Sequence, residues 1–274
     1  MADRTQISHN PAVPRPLDGR VAIVTGVSRK NGIGCAIARR LLADGARVLV
    51  QSWVADDVRR GMADPGAPGP VLDALGGEGP ALAHVAIDLA NAGAPGRIVD
   101  AAIAAFGHVD ILVVNHVRAA EQSLDALTAE ELDLSWAVNG RSALLLVQAF
   151  ARAHDDTRPG RVMLFTSGQH LAPMSQGIPY AVTKGALHQI TLSLSDALAD
   201  RGITVNAINP GPTDTGWAGR DLMEELRPRF PAGRWGTPDD AAKLVGWLAS
   251  DDAGWINGQV INSEGGFRRW LGTT

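Results

Sequence analysis

Thr25-Gly26-Val27-Ser28-Arg29-Lys30-Asn31-Gly32-Ile33-Gly34 is the stretch on which the reading of this chain turns. An apolar, β-branched run over residues 20–25 leads into it, and a helical pattern over 33–44 leaves it. Strand, glycine loop and helix in that order bring backbone N–H groups at a helix N-terminus close to a pyrophosphate. Glycines alone carry little weight; the flanking strand and helix supply it. No Gly-Lys-Ser/Thr follows the last glycine, which argues against a triphosphate loop.

Outward from the loop, short apolar runs alternate with longer amphipathic stretches. The strand-like runs cover 47–51, 81–87, 110–114, 161–166, 203–208 and 259–262, besides 20–25. Helical patterns cover 95–106, 129–154, 179–200 and 238–249, besides 33–44. Strands apolar almost throughout are expected where helices cover both faces of a parallel sheet. The pattern predicts an α/β fold, a Rossmann-like doubly wound parallel sheet of about seven strands, with helices on both faces. One domain over 17–274 is expected, preceded by a flexible polar arm over 1–16. Residues 54–80, rich in Gly, Pro, Asp and Ala, are long for a strand–helix connection, with a short helix expected near 71–75. Residues 213–236 lie just past a strand end and read as a substrate lid.

Composition narrows the function classes. The formal net charge of -4 provides no basic field for nucleic acid. No apolar run reaches the ~20 residues of a membrane span, and the N-terminus lacks the apolar core of a signal peptide. One cysteine, Cys35, excludes an internal disulfide framework. A cytoplasmic location is expected. The histidines show no ligand spacing, so no metal site is expected.

The chemistry concentrates around the one tyrosine, Tyr180, in Tyr-Ala-Val-Thr-Lys. Lys184 lies one helical turn on and shares its face, where its charge would favour the phenolate. Ser167, at a strand end, could hydrogen-bond the same substrate oxygen. Together they point to proton transfer at a carbonyl or alcohol oxygen. The second strand ends Val50-Gln51-Ser52-Trp53 without the acid that an NAD ribose usually meets. Arg29 and Lys30 add positive charge where a 2′-phosphate could sit, while Asp56 or Asp57 could fold back as the acid. The charge pattern favours NADP(H) over NAD(H).

With those residues in hand, the chain resembles the short-chain dehydrogenase/reductase family over residues 17–267. Within it, the 3-oxoacyl-(acyl carrier protein) reductase type is most similar. Gly26, Gly32 and Gly34 resemble the family's glycine motif, with two residues added between the first two. Asp88 resembles its adenine-contacting aspartate, and Val114-Asn115-His116-Val117 stands where the family has Asn-Asn-Ala-Gly. Asn139, Ser167, Tyr180 and Lys184 resemble its catalytic tetrad.

The resemblance implies hydride transfer to a carbonyl carbon. Tyr180 would donate the proton, Ser167 would polarise the oxygen, Lys184 would hold the ribose and lower the tyrosine pKa, and Asn139 would hold a relay water. Cofactor contacts are implied for Ser28, Arg29, Lys30 and Ile33 beside the three glycines, and for Ser52, Asp88, Leu89, Asn115 and His116. Tyr180, Lys184, Pro210, Gly211, Thr213 and Thr215 complete the set. Gln169, His170, Met174 and Trp217 are candidates for the substrate wall.

The resulting expectation is an NADPH-dependent carbonyl reductase, with 3-oxoacyl thioesters the first substrates to try. A secondary-alcohol dehydrogenase of a metabolite, sugar or steroid-like compound is the second reading, and a dinucleotide sensor without turnover the third. Arg220, Arg227, Arg229 and Arg234 are candidates to contact a phosphopantetheine arm or an acidic carrier, should the acyl thioester be carrier-bound. Apolar residues on several faces of the two longest helical patterns, Leu144, Leu145, Leu187 and Leu194 among them, fit helix pairing between subunits, and the family resemblance implies a homotetramer or homodimer.

Overall fold

Side-chain alternation along the first strand explains the architecture. In β1, Val21–Thr25, every residue is buried. Ala22 and Val24 enter one hydrophobic core, while Val21 and Ile23 enter a second on the opposite face. A strand buried on both sides needs a helical layer on each. The computed structural model, which describes residues 15–270, has both layers. The arm expected over 1–16 lies outside the described residues apart from its last two.

The strands β2 (Arg47–Ser52), β3 (Leu82–Ala86), β4 (Ile111–Val114), β5 (Gly160–Phe165), β6 (Ile203–Asn209) and β7 (Val260–Asn262) complete a seven-stranded sheet. Its order is β3-β2-β1-β4-β5-β6-β7, and every pairing is parallel. The order reverses between β1 and β4, and such a switch point opens a crevice at the strands' C-terminal ends.

The helices are α1 (Ile33–Ala43), α2 (Val54–Arg59), α3 (Gly69–Ala74), α4 (Ala94–Phe106), α5 (Ala129–Ser135), α6 (Ser142–Ala153), α7 (Ile178–Ala199), α8 (Arg220–Leu226) and α9 (Pro238–Ala249). Ile37 and Leu41 of α1 pack with Val245 and Leu248 of α9 on one face of the sheet. Ile98 of α4, Leu146 and Phe150 of α6 and Leu187 of α7 cover the other. Among the described residues, no helix is long and apolar enough to cross a membrane.

One expectation is modified and another is met. The single helix expected over 129–154 is α5 and α6 joined by a π-helical turn, Trp136–Arg141. Trp136 folds its ring over Gly140, where a Cβ would come within 3.0 Å of the ring's Cδ2. The stretch 54–80 holds the short helix expected near 71–75. It carries α2 and α3, and Val71 is fully buried in the core beside α1.

Candidate active site

Loop, strand ends and helix N-termini meet in one cleft of about 750 Å³. Its floor is built by close packing that only glycine permits. Gly26 has φ +73°, and a Cβ there would stand 2.7 Å from the His116 Cα. A Cβ on Gly34 would stand 2.6 Å from the Gly26 carbonyl oxygen and 2.8 Å from Asn115 Nδ2. Asn115 Nδ2 donates to the carbonyls of Thr25 (2.9 Å) and Gly26 (3.2 Å), tying the loop to the end of β4. A loop drawn down this tightly leaves backbone close to any group lying across it, so these residues fit a dinucleotide pyrophosphate.

Ser28, Arg29, Gly32 and Ile33 also face the cleft, as do Asp88 and Leu89 past β3. Pro210, Gly211, Thr213 and Thr215 line it past β6. Lys30 and Ser52 stand apart from this group. Lys30 is exposed outside the cleft, with its main-chain N–H on Asp64 (2.6 Å). Ser52 is fully buried, its hydroxyl 2.9 Å from His84 Nε2 on β3. Strand alternation turns Gln51 toward the loop instead, and its amide is spent there. Oε1 accepts from Gly26 N (3.0 Å), and Nε2 donates to the Ile87 carbonyl (2.7 Å).

The acids missing from the end of β2 arrive from α2. Asp56 and Asp57 line the cleft beside Arg59 and Arg60. Asp57 lies 3.6 Å from Arg29 Nε, and Arg29 Nη1 donates to the Thr215 carbonyl (2.9 Å). Burial lowers the Arg29 pKa, and Asp57 partly opposes that.

Ser167 follows β5, and Tyr180 stands in the first turn of α7 with Lys184 one turn on. All three line the cleft. Lys184 is 3 % exposed, and its Nζ donates to the Phe165 carbonyl at 2.6 Å. Burial lowers its pKa to about 7. Burial also raises the Tyr180 pKa, and the Ser167 hydroxyl opposes part of the rise. The expected lowering of the tyrosine by Lys184 is therefore absent here. The ammonium sits 5.7 Å from the ring centroid and is directed at a main-chain carbonyl. Tyr180 accordingly keeps its proton at neutral pH, the state a proton donor needs.

Asn139, in the π turn, is buried behind the cleft wall. Its Oδ1 accepts from Arg118 N (2.6 Å), and its Nδ2 donates to the Arg118 carbonyl (2.9 Å) and to Thr183 Oγ1 (3.0 Å). The Arg118 side chain is clamped by Glu131, with Nε and Nη2 each 2.6 Å from a carboxylate oxygen. His116 links the glycine loop to the π turn. Its Nδ1 lies 2.8 Å from Thr25 Oγ1, and its Nε2 lies 2.8 Å from both the Val138 carbonyl and Ser142 Oγ. A carbonyl can only accept, so Nε2 carries the proton and Nδ1 accepts from Thr25. Burial lowers the His116 pKa to about 4, which keeps the imidazole neutral.

Of the substrate-wall candidates, Met174 and Trp217 line the cleft. Gln169 and His170 do not share that position. Gln169 Oε1 accepts from Ser167 N (3.1 Å), and His170 is exposed against His188 on α7, ring centroids 4.4 Å apart. Segment 213–236 holds α8 and is pinched at its base by a Thr213–Gly236 bridge. Trp217, Trp235, Phe230 and Phe267 form a chain of ring contacts from it to the segment after β7. Arg227 pairs with Glu224 and Arg234 with Asp240, so two of the four lid arginines are already matched. Gln51, Arg118, Leu226, Phe267 and Arg269, none of them expected from the sequence, also line the cleft. Only Gln51 carried a local signal, standing where an acid was sought.

A family model described as enoyl-(acyl carrier protein) reductase matches residues 26–268. The oxidoreductase YjdA of Bacillus subtilis, itself named as uncharacterized, is 40% identical over 254 residues, or 91% of this chain and 97% of that protein. A short-chain dehydrogenase/reductase from Serratia marcescens superposes with TM-score 0.79 at 33% identity, over 92% of this chain and 99% of its own. A short-chain dehydrogenase from Burkholderia cenocepacia, solved in complex with NADP, does so with TM-score 0.77 at 34% identity, over 92% and 98%. Likeness of this breadth, on a parallel sheet whose switch point carries the glycine-floored cleft, admits one assignment: the chain belongs to the short-chain dehydrogenase/reductase family of oxidoreductases.

Proposed function

We propose that this oxidoreductase reduces a ketone or aldehyde to an alcohol with NADPH, 3-oxoacyl thioesters being the first substrates to try. The observation that carries the reading is the meeting of Ser167, Tyr180 and Lys184 in the cleft floored by Gly26 and Gly34. When bound, the nicotinamide dinucleotide supplies the hydride. The glycine loop would hold its pyrophosphate, Asp88 and Leu89 its adenine end, and Asn115 and Lys184 the nicotinamide ribose. Tyr180, protonated because burial raises its pKa, gives its proton to the substrate oxygen. Ser167 donates a hydrogen bond to the same oxygen as negative charge develops there. Lys184, with a pKa near 7, passes a replacement proton inward. The Asn139 side chain is fully engaged, so a relay water would rest on its main-chain carbonyl.

The preference for NADPH is supported by the absence of an acid on β2, by Arg29, Arg59 and Arg60 at that end, and by the NADP held by the Burkholderia relative. A homotetramer in the cytoplasm completes the reading. The test is oxidation of NADPH and of NADH against acetoacetyl and crotonyl thioesters, a short ketone series and the matching alcohols. Tyr180→Phe is expected to lose turnover by about a thousandfold or more while still binding the cofactor. Near wild-type turnover in that variant would refute the assignment. Activity confined to the crotonyl thioester would point to double-bond reduction, and cofactor binding without turnover on any compound to a sensor.

A further inference from the structure

We propose that Arg269 selects the substrate, and that the substrate it fits is a neutral ketone with a second acceptor oxygen close to the reacting carbonyl, a 3-oxo ester being the simplest case. The proposal rests on the carbonyl-reductase reading and extends it to substrate class. After β7 the chain turns at Gly265 and Gly266, both at positive φ, and lays Phe267 and Arg269 along the cleft. The guanidinium packs on Gly168, the residue after Ser167. A Cβ at 168 would stand 2.9 Å from Arg269 Cζ and 3.1 Å from its Nε, so a glycine is what admits the arginine there.

The charge of Arg269 is already answered. Nη1 and Nη2 donate to the two carboxylate oxygens of Glu264, each at 2.6 Å. The side chains of the pair are 13 % and 11 % exposed. Glu264 is itself held by Asn209 Nδ2 at 3.0 Å and packs against Gly211, so it has no room to swing aside. An end-on fork uses one N–H of each terminal nitrogen. The remaining N–H groups make no other hydrogen bond among the described residues. Arg269 Cζ lies 5.3 Å from the centroid of the Phe267 ring, and Met174, Trp217 and Leu226 are among the apolar residues that line the same cleft.

A corner with spare donors but no net charge suits an uncharged oxygen. A substrate carboxylate would find the cation already answered by Glu264, which stands behind Arg269 and outside the cleft lining, so little would offset its own desolvation. A plain ketone would leave the donors facing alkyl chain, which a site built for hydrogen bonding disfavours. A carbonyl or ester oxygen satisfies both conditions.

The experiment measures kcat/KM for ethyl acetoacetate, acetoacetate and 2-heptanone in wild type, Arg269→Gln and Glu264→Gln. Wild type is expected to prefer the ester over both others. Arg269→Gln is expected to lower the ester-to-heptanone ratio roughly tenfold. Glu264→Gln leaves the cation unanswered and is expected to raise the acetoacetate-to-ester ratio roughly tenfold. A merely structural pair would not shift selectivity in this charge-dependent sense. Ratios within about threefold of wild type in both variants overturn the proposal, as does a wild type indifferent among the three compounds. If one variant does not fold, the other decides. A wild type that reduces no carbonyl in a broad panel sinks the carbonyl-reductase reading instead, and this proposal with it.

Discussion

Lys184 and His116 are buried bases, and burial sets what each can do. For Lys184, a folded pKa of about 7 against 10.5 corresponds to about 5 kcal/mol of destabilisation while it is charged. Lys184→Met is therefore expected to stabilise the cofactor-free fold by roughly 1–3 kcal/mol at neutral pH, the lost bond to the Phe165 carbonyl offsetting the rest. The folded pKa lies below the unfolded one, so wild-type stability rises between pH 7 and 10.5 and the advantage of methionine fades over that window. Urea titrations at about pH 6 and about pH 9.5 check this; a methionine variant less stable at the lower pH refutes it.

His116, with a folded pKa of about 4, works in the acid range. The native state resists its protonation, so its contribution to stability is present above 6.5 and is lost as pH falls toward 4. His116→Ala is expected to flatten the fall of Tm over that window. It should also lower kcat/KM by roughly ten- to a hundredfold, because the Val138 carbonyl beside Asn139 loses its imidazole partner. An unchanged acid limb would show that His116 does not titrate as described.

At the scale of elements, the π turn and α2 do most to shape the site. The turn lies in the 129–154 pattern, and periodicity over that span is compatible with an unbroken helix. What distinguishes it is contact with His116 and Thr183, which come from other elements. Likewise α2 is short, and from the sequence Asp56 or Asp57 could fold back as the acid missing from β2. The structure places both at the cleft, with Asp57 against Arg29. An anion at this end of the cofactor would compete with Asp57 for that guanidinium. Asp57→Asn is expected to raise the ratio of kcat/KM for NADPH over NADH by roughly three- to tenfold. A ratio that falls would place Arg29 outside the 2′-phosphate's reach.

For the whole molecule, the described surface keeps several large apolar side chains exposed. Val182 (55 % exposed) and Leu192 (67 %) stand on α7, and Trp136 (42 %) at the adjoining π turn. An apolar face of this kind on two neighbouring helices fits association between copies. Leu192→Glu is expected to lower the molar mass measured by light scattering by about half without loss of helical content. A mass equal to wild type would move the interface elsewhere, with Trp255, 97 % exposed near β7, the next place to look.

The seven strands, the glycine loop and the Tyr180–Lys184 spacing were legible in the sequence by itself, because each depends on a period or a spacing within a short segment. Strand ends came within one or two residues, since burial on both faces marks a strand directly. Which side chains face the cleft was decided only by tertiary structure. One step along β2 separates Gln51 on the loop from Ser52 against His84, and strand alternation admits either until the neighbouring strands are in place. Arg269 reaches Gly168 from the segment beyond β7, a contact without local pattern, because it exists only once β5, β6 and β7 are aligned.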